Sequence, residues 1–300
     1  MQACNYCGSG ESALVLKDAV DYEYAIPGRW NLVRCSRCGL VRMEIMPTVE
    51  ETMAFYPKEY VQYHPRKSRI VAALYRRFVR RQAEIIRDLI GPRGRILDVG
   101  CGCGEFMKCV GEVGEWEIVG IEPSAEAAAR GRQWGLDIRH GTLESIDLHE
   151  EPFDLIIFTH VIEHLVDPLT ALQKIVGYLK PGGYLYAETE NIESWAFLAL
   201  QRYWGLLHLP RHLYFFTERT IRNYLHKAGF VDVSINHTFN PGGWALGLQF
   251  LLEEKLHKRI YPGRTWYFPY LLVLSMPLGL IQLLMKKADA INFIGRKPGR

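Results

Sequence analysis

Residues 95–106, RILDVGCGCGEF, decide the fold: a short apolar run carrying one aspartate, three glycines at alternate positions, then the start of an amphipathic segment. Arg95–Gly100 reads as a buried strand and Glu105–Val113 as a helix. Gly100, Gly102 and Gly104 tolerate positive φ and let a backbone come close to a ligand. The helix that follows presents unpaired N–H groups to that ligand. A second strand, Glu117–Ile121, ends at Glu122, 22 residues after Gly100, where an acid can hold two ribose hydroxyls. A G-x-G-x-G loop alone also fits a tight strand–helix turn beside an incidental surface glutamate. A nicotinamide dinucleotide site would read G-x-G-x-x-G/A, and here the third glycine comes one residue early. Asp98 is unfavourable beside a pyrophosphate but suits a cationic amino-acid ligand.

Outward from this stretch the pattern alternates. Ser124 is an N-cap for a helix over 125–134, Leu136–His140 and Phe153–Phe158 read as strands, and Pro168 opens a helix that Pro181-Gly182-Gly183 ends. Tyr184–Thr189 is a strand, Glu218–Lys227 a helix and Phe230–Ile235 a strand. Strands separated by single helices imply right-handed crossovers and a mostly parallel sheet. Three regions separate by composition: 1–64, with paired cysteines and a Tyr-rich exit (Tyr56, Tyr60, Tyr63); 65–238; and 239–300. The second opens on a basic helix, with Ile70, Leu74, Phe78, Ile85, Ile86 and Leu89 near helical spacing and Arg76, Arg77, Arg80 and Arg81 between them.

Three hundred residues, 48% hydrophobic and 23% charged, exclude disordered, collagenous and low-complexity classes. A net charge of +3 is too balanced to imply nucleic-acid binding. The cations do concentrate, ten of them between Arg66 and Arg95 against Glu84 and Asp88. No secretory signal is expected from MQACNYCGSGE, and seven cysteines without disulfide-like spacing fit a reducing cytoplasm.

ILDVGCGCGEF (96–106), VGIEP (119–123), GTLE (141–144), FDLIIFTHVIEHLVDP (153–168) and LKPGGYLYAETEN (179–191) together resemble the ordered motifs of class I S-adenosylmethionine-dependent methyltransferases, over about residues 92–238. WGLLHLPRHLYFFTERTI (204–221) resembles the branch related to quinone-biosynthesis and sugar methyltransferases, several of which carry a zinc-binding N-terminus. The resemblance implies an α/β fold: a Rossmann-like, seven-stranded, mostly parallel sheet with helices on both faces. An N-terminal zinc ribbon and a hydrophobic helical C-terminal insertion would be added to it. Such a sheet closes with a strand inserted antiparallel beside the fifth, for which Ala290–Arg296 is the candidate. Carried over by residue, Asp98, Gly100, Gly102 and Gly104 would cradle the methionine part of S-adenosylmethionine and Glu122 its ribose. Thr142 and Leu143 would flank the adenine, and Thr159 or His160 would meet the amino group. Glu190 departs from the branch, which usually shows proline before Asn191.

Methyl transfer to oxygen needs positioning and removal of a proton. His164 and His212 are the candidate bases, because imidazole titrates near neutrality; either could instead only hydrogen-bond a loop. Glu163 with His164 could alternatively hold a divalent metal. The expected acceptor is small or lipid-linked: a quinone precursor, polyketide or sugar. Transfer to carbon of a nucleotide-linked sugar is the nearest variant. A binding module that uses the fold as a scaffold is the other class of reading.

Cys4-x-x-Cys7 and Cys35-x-x-Cys38, each followed by glycine, suit a structural tetrahedral Zn2+. A redox dithiol and a nucleic-acid ribbon are the alternatives, and few cations in the ribbon speak against the latter. Cys101, Cys103 and Cys109 read as small buried residues. Trp266–Met285 is twenty residues without a charge, long enough to span a membrane. A single span would, however, strand 290–296 on the wrong side, so the segment is expected to dip into a bilayer or to cap the acceptor pocket. A true span would require that 290–296 not be a strand. The basic helix 66–90 either is a solvated face packed on the sheet or, with this segment, allows peripheral contact with the cytoplasmic membrane face.

Overall fold

The computed structural model describes residues 2–57, 60, 63, 69–148, 151–257 and 265–299, with the side chains of 69–72 and 74 set aside. The beginning of the basic segment at 66–68 and Arg264 before the apolar stretch lie outside these residues.

Near the N-terminus, β1 (Ser12–Ala19), β2 (Trp30–Cys35) and β3 (Val41–Met43) form an antiparallel meander. The short α1 (Val49–Met53) starts from a Thr48–Glu51 capping box, in which each side chain satisfies the other's backbone N–H. A long helix, α2 (Arg69–Ile90), leads into β4 (Arg93–Val99). Then follow α3 (Glu105–Gly111), β5 (Glu115–Glu122), α4 (Ala125–Gln133), β6 (Asp137–His140) and β7 (Phe153–Thr159). Next come α5 (Pro168–Tyr178), β8 (Leu179–Glu190), α6 (Trp195–Leu200), β9 (Tyr214–Phe215), α7 (Glu218–Ala228) and β10 (Val231–Thr238). The chain ends with α8 (Gly242–Lys255), α9 (Phe268–Leu284) and β11 (Ala290–Arg296).

The main sheet has the order β10-β11-β8-β7-β4-β5-β6. Pairing is parallel from β8 through β6, and β11 runs antiparallel to both of its neighbours, so 290–296 is the inserted closing strand. Alternation along β4 sends Ile96 to one face, against Val79, Ala83 and Ile86 of α2, and Leu97 to the other, with α5 and α7 residues Leu172, Ile175, Ile221 and Leu225. The crossovers therefore bury both faces, as a parallel sheet requires.

One expectation changes. The Pro181-Gly182-Gly183 segment does not stop a helix: α5 ends at Tyr178, and the segment already belongs to β8, where pairing with β7 shifts register between Phe153 and Leu155. Among the described side chains of α2, Val79, Ala83 and Ile86 pack on the sheet, while Phe78 and Arg76, Arg77, Arg80 and Arg81 are exposed. The 266–285 stretch forms a 17-residue helix interrupted by Pro277, and no described helix is long and apolar enough to cross a membrane.

A second sheet, β1-β2-β3-β9, joins distant parts of the chain. The two residues of β9 pair with β3 (Val41 opposite Phe215, Arg42 opposite Tyr214), and Met43 N–H donates to the Leu213 carbonyl at 2.9 Å. Beyond it α8 packs on α6, where Gly247 lies against Leu200 and Tyr203, and α9 packs on α8 through Phe268 and Gln282, with Gly279 against Phe239 and Pro241 just before α8. The outer side of α9 stays bare: Tyr270, Val273, Leu274 and Leu284 are 64–74% exposed.

Candidate active site

The glycine loop sits at the carboxyl end of β4, beside the point where strand order reverses between β4 and β7, the usual ligand crevice of an open α/β sheet. Gly100, Gly102 and Gly104 have φ of 71°, 58° and 77°, and a Cβ on Gly104 would fall 2.4 Å from Leu136 Cδ1. Glycine is thus required for conformation and for space at once. Glu122, at the end of β5, accepts from the Gly102 N–H (2.8 Å) and the Ser124 N–H (2.7 Å), which fixes its carboxylate at the mouth of the loop. Asp98 is buried, and burial, followed by the nearby charge of Glu122, pushes its carboxyl up to about 7. Thr142 closes a turn with Ser145, Leu143 is buried, and the preceding Gly141 N–H donates to the Glu122 carbonyl. These residues line up along the ends of β4, β5 and β6.

The ends of β7 and β8 gather a second group. Thr159 is exposed, while His160, with the unusual φ of 53°, turns its Nδ1 inward. That atom is 3.0 Å from Glu190 Oε1 and 3.3 Å from Glu163 Oε1, and His160 Nε2 is 3.3 Å from Glu188 Oε1. Burial opposes charge on this ring, but Glu190 and its fellow glutamates hold the His160 pKa well above the ordinary value. Glu163 is fully buried and accepts from Thr189 Oγ1 at 2.9 Å.

His164 and His212 meet edge to face with ring centroids 4.7 Å apart. His164 Nδ1 lies 2.9 Å from the Arg211 carbonyl and 3.0 Å from the Tyr56 hydroxyl. His212 is buried, with Nδ1 unpartnered and 3.8 Å from Glu190 Oε2. Burial, with His164 and His208 adding to it, holds His212 well below its ordinary pKa; burial also lowers His164. Both imidazoles are therefore neutral at neutral pH.

Sequence reasoning missed what holds this loop. Arg211 is buried and reaches Asp21 (3.3 Å) and Glu23 (2.9 Å), while its guanidinium lies 4.6 Å from the Tyr24 ring centroid. Asp21 in turn accepts N–H groups from Glu23, Tyr24 and Ile26, so the β1–β2 connection is shaped around that carboxylate. Tyr56, Tyr60 and Tyr63 stack edge to face in sequence from His164 toward Glu122, whose charge reaches Tyr63. The Tyr-rich segment thus bridges the two groups of residues.

The four paired cysteines converge. Cys4 and Cys38 sulfurs are 3.6 Å apart and those of Cys7 and Cys35 are 3.5 Å apart, with all four inside 4.8 Å. These distances are far too long for a disulfide and close to the ~3.8 Å edge of a tetrahedron with 2.3 Å Zn–S bonds. Gly8 and Gly39 take positive φ just after each pair, with N–H bonds back to the Cys4 and Cys35 carbonyls. The donor set fits a closed, structural zinc. Cys103 is buried, whereas Cys101 and Cys109 are half-buried.

Comparison with known proteins follows the same lines. A family model described as "Methyltransferase domain" matches residues 68–235. A ubiquinone biosynthesis O-methyltransferase of Cereibacter sphaeroides is 31% identical over 183 residues, 55% of this chain and 74% of the relative. Another of that name, from Dinoroseobacter shibae, is 32% identical over 190 residues, 58% and 75% of the two chains. Among solved structures, an S-adenosylmethionine-dependent methyltransferase of Thermotoga maritima aligns with a TM-score of 0.50 at 22% identity, covering 75% of this chain and 92% of its own. Phosphoethanolamine N-methyltransferase 2 of Haemonchus contortus, solved with S-adenosylmethionine, aligns at 0.51 and 18% identity, over 73% and 52% of the chains. The two structural likenesses bear on the fold.

Proposed function

Since this chain belongs to the S-adenosylmethionine-dependent methyltransferase family, with more than half of its length matched by that domain, we propose that it methylates an oxygen of a quinone-like acceptor. The named relatives are O-methyltransferases of ubiquinone biosynthesis, and fold alone would not choose an acceptor. In this reading Asp98, Gly100, Gly102 and Gly104 surround the methionine part of the cofactor, Glu122 takes the ribose, and Thr142 and Leu143 border the adenine. Both ring nitrogens of His160 face glutamates at ion-pair distance, which leaves Thr159 for the amino group. Bound there, the sulfonium supplies an electrophilic methyl group for in-line displacement.

The protein's task is to hold an acceptor hydroxyl in line and to take its proton. His212 suits the second part, being buried, neutral and unpartnered at Nδ1. His164, fixed by the Arg211 carbonyl and Tyr56, positions His212. That edge-to-face histidine pair, with the buried His212 Nδ1 unpartnered, is the observation that carries the proposal.

Four cysteines would hold Zn2+ as a staple, and β3–β9 pairing would pass its order to the acceptor loop. The bare side of α9 suits the cytoplasmic face of a membrane that supplies an amphiphilic acceptor. A screen of quinol, sugar-nucleotide and lipid-extract acceptors with labelled methyl donor tests the function, with His212→Ala in single turnover. Label in a quinol ether and a loss of about 10²–10⁴-fold in the variant are expected. An unchanged rate in the variant would remove His212 as base, and no label in any quinol would remove the acceptor class.

A further inference from the structure

We propose that Glu23, on the connection between β1 and β2, is a positioning residue for the methyl-transfer base, acting on His212 through His208. Its effect on rate rests on the reading above; the network that carries it does not. Glu23 lies outside the family-matched residues 68–235. One of its carboxylate oxygens takes two donors from the acceptor loop, His208 Nδ1 at 2.8 Å and Arg211 Nη2 at 2.9 Å. The Glu23 N–H donates to Asp21 Oδ1 at 3.0 Å, so the carboxylate that shapes this connection also sets where Glu23 reaches from.

The two residues it grips lead to the two facing imidazoles. The His208 carbonyl accepts the N–H groups of Arg211 (3.0 Å) and His212 (3.2 Å). The Arg211 carbonyl lies 2.9 Å from His164 Nδ1. Each of the paired imidazoles is therefore one hydrogen bond away from a residue that Glu23 holds. His208 also touches His212 directly, edge to face, with ring centroids 5.0 Å apart and planes at 79°; His164 meets the same ring at 4.7 Å and 73°. The His208 backbone takes φ of 41°, a conformation that persists outside glycine where its surroundings over-determine it.

These bonds also place protons. A carbonyl oxygen only accepts, so His164 carries its proton on Nδ1 and leaves Nε2 as a lone pair; the Glu23 carboxylate likewise puts a proton on His208 Nδ1. His212 has no such aid at its own Nδ1, which lacks a hydrogen-bond partner among the described residues. Its aim comes from its backbone and from its two ring neighbours, and both routes pass through residues 208 and 211. A misplacement of about 1 Å at a reacting group costs about 10²-fold in rate. Without Glu23, Arg211 would still be held by Asp21 at 3.3 Å, so the loop would stay in place while His208 lost its anchor.

The test uses the full-length protein with Glu23→Ala, Glu23→Gln and His208→Phe, and a short-chain catechol-type quinol as acceptor. In Glu23→Ala and in His208→Phe, kcat should fall about 10–100-fold, with KM and cofactor affinity within about twofold of the parent. Combining the two should cost no more than either alone, because they cut one chain of contacts. In a His212→Ala background Glu23→Ala should cost nothing further. Glu23→Gln, whose amide oxygen can take the same two donors, should keep about a third of the rate or more. A loss in Gln equal to that in Ala, additive losses, or an unchanged kcat in Glu23→Ala would each overturn the proposal.

Multiple-bond 1H–15N spectra of the histidine rings give a readout independent of any acceptor. Glu23→Ala should erase the Nδ1-protonated pattern of His208 and shift the ring signals of His212. Identical spectra overturn the proposal whatever the rates. Cofactor affinity and the thermal melt check folding, and should Glu23→Ala fail them, His208→Phe carries the comparison through the His212 signals, since it leaves Asp21, Glu23 and Arg211 together. Altered spectra with no transfer to any quinol would leave the network standing and remove the acceptor class. Transfer with unaltered spectra would do the reverse.

Discussion

Replacing Asp98 by asparagine separates the cofactor's charge partner from the rest of the loop. With the crevice empty, Asp98 keeps its proton to about pH 7, against 3.8 for an ordinary aspartate. The folded protein therefore binds more protons than the unfolded chain between those values, and stability falls as pH rises from about 4 to about 7, then levels off. Three units correspond to about 4 kcal/mol, an upper bound on what the buried carboxylate costs above pH 7. An asparagine side chain is close in size to aspartate and carries no such charge. At pH 8 the empty variant should be more stable than the parent by about 2–4 kcal/mol, with Tm several degrees higher. The slope of stability between pH 4 and 7 should flatten.

Binding reverses the sign. A cationic ligand favours the ionised carboxylate, so the parent must release a proton on binding below pH 7, about nine-tenths of one at pH 6. Affinity should climb up to tenfold per pH unit until it levels near 7, and the variant should bind about 10–100-fold more weakly, as loss of a charged hydrogen bond implies. Calorimetry of cofactor binding in two buffers with different ionisation heats counts the protons, and thermal melts across pH give the slope. No proton release at pH 6, together with parallel stability profiles for parent and variant, would refute this account of the loop.

Three further outcomes follow from the geometry. Gly104→Ala should cost about 2–3 kcal/mol, through positive φ and the clash with Leu136, and cofactor binding should disappear; calorimetry that finds both unchanged would contradict the tight-turn argument. Cys35→Ser should lower zinc to well below one equivalent in metal analysis and expose the 204–217 segment to proteolysis while cofactor affinity is kept, because among the described residues β9 has no ladder partner besides β3; equal zinc in the variant would dismiss the four-sulfur site. Val273→Asp with Leu274→Asp should abolish flotation with anionic vesicles without altering the melt, both side chains being about two-thirds exposed; unaltered flotation would rule out α9 as the contact.

The fold was legible where chemistry is local. Alternating glycines after an apolar strand, an acid at the end of the next strand, and Ser124 before a helix each act within a few residues. The last strand was legible too, because 290–296 was the one candidate for a defined place in the sheet. The acceptor side was less so. Glu188 looks in sequence like any surface glutamate, Glu163 stood out only beside His164 and Glu190 only as a departure from the branch; their convergence on His160 shows in three dimensions alone, although the alternation in Glu188-Thr189-Glu190 was a usable signal. The Arg211–Asp21 pair joins residues 190 positions apart, and β9 is two residues long. Neither leaves a periodic trace. The amphipathicity of α2 was read correctly as a helix, but period alone cannot say whether an apolar stripe meets a sheet or a lipid.

Because β9, beside the His212 loop, pairs with β3 of the cysteine-rich module, trimming the chain to its family-matched part is expected to leave that loop without its ladder. It would yield a nucleoside receptor with half a doorway: able to hold the methyl donor, unable to say which guest stands next to it. On that reasoning, exchanging the amino-terminal module is expected to change which acceptor is preferred while leaving donor binding intact.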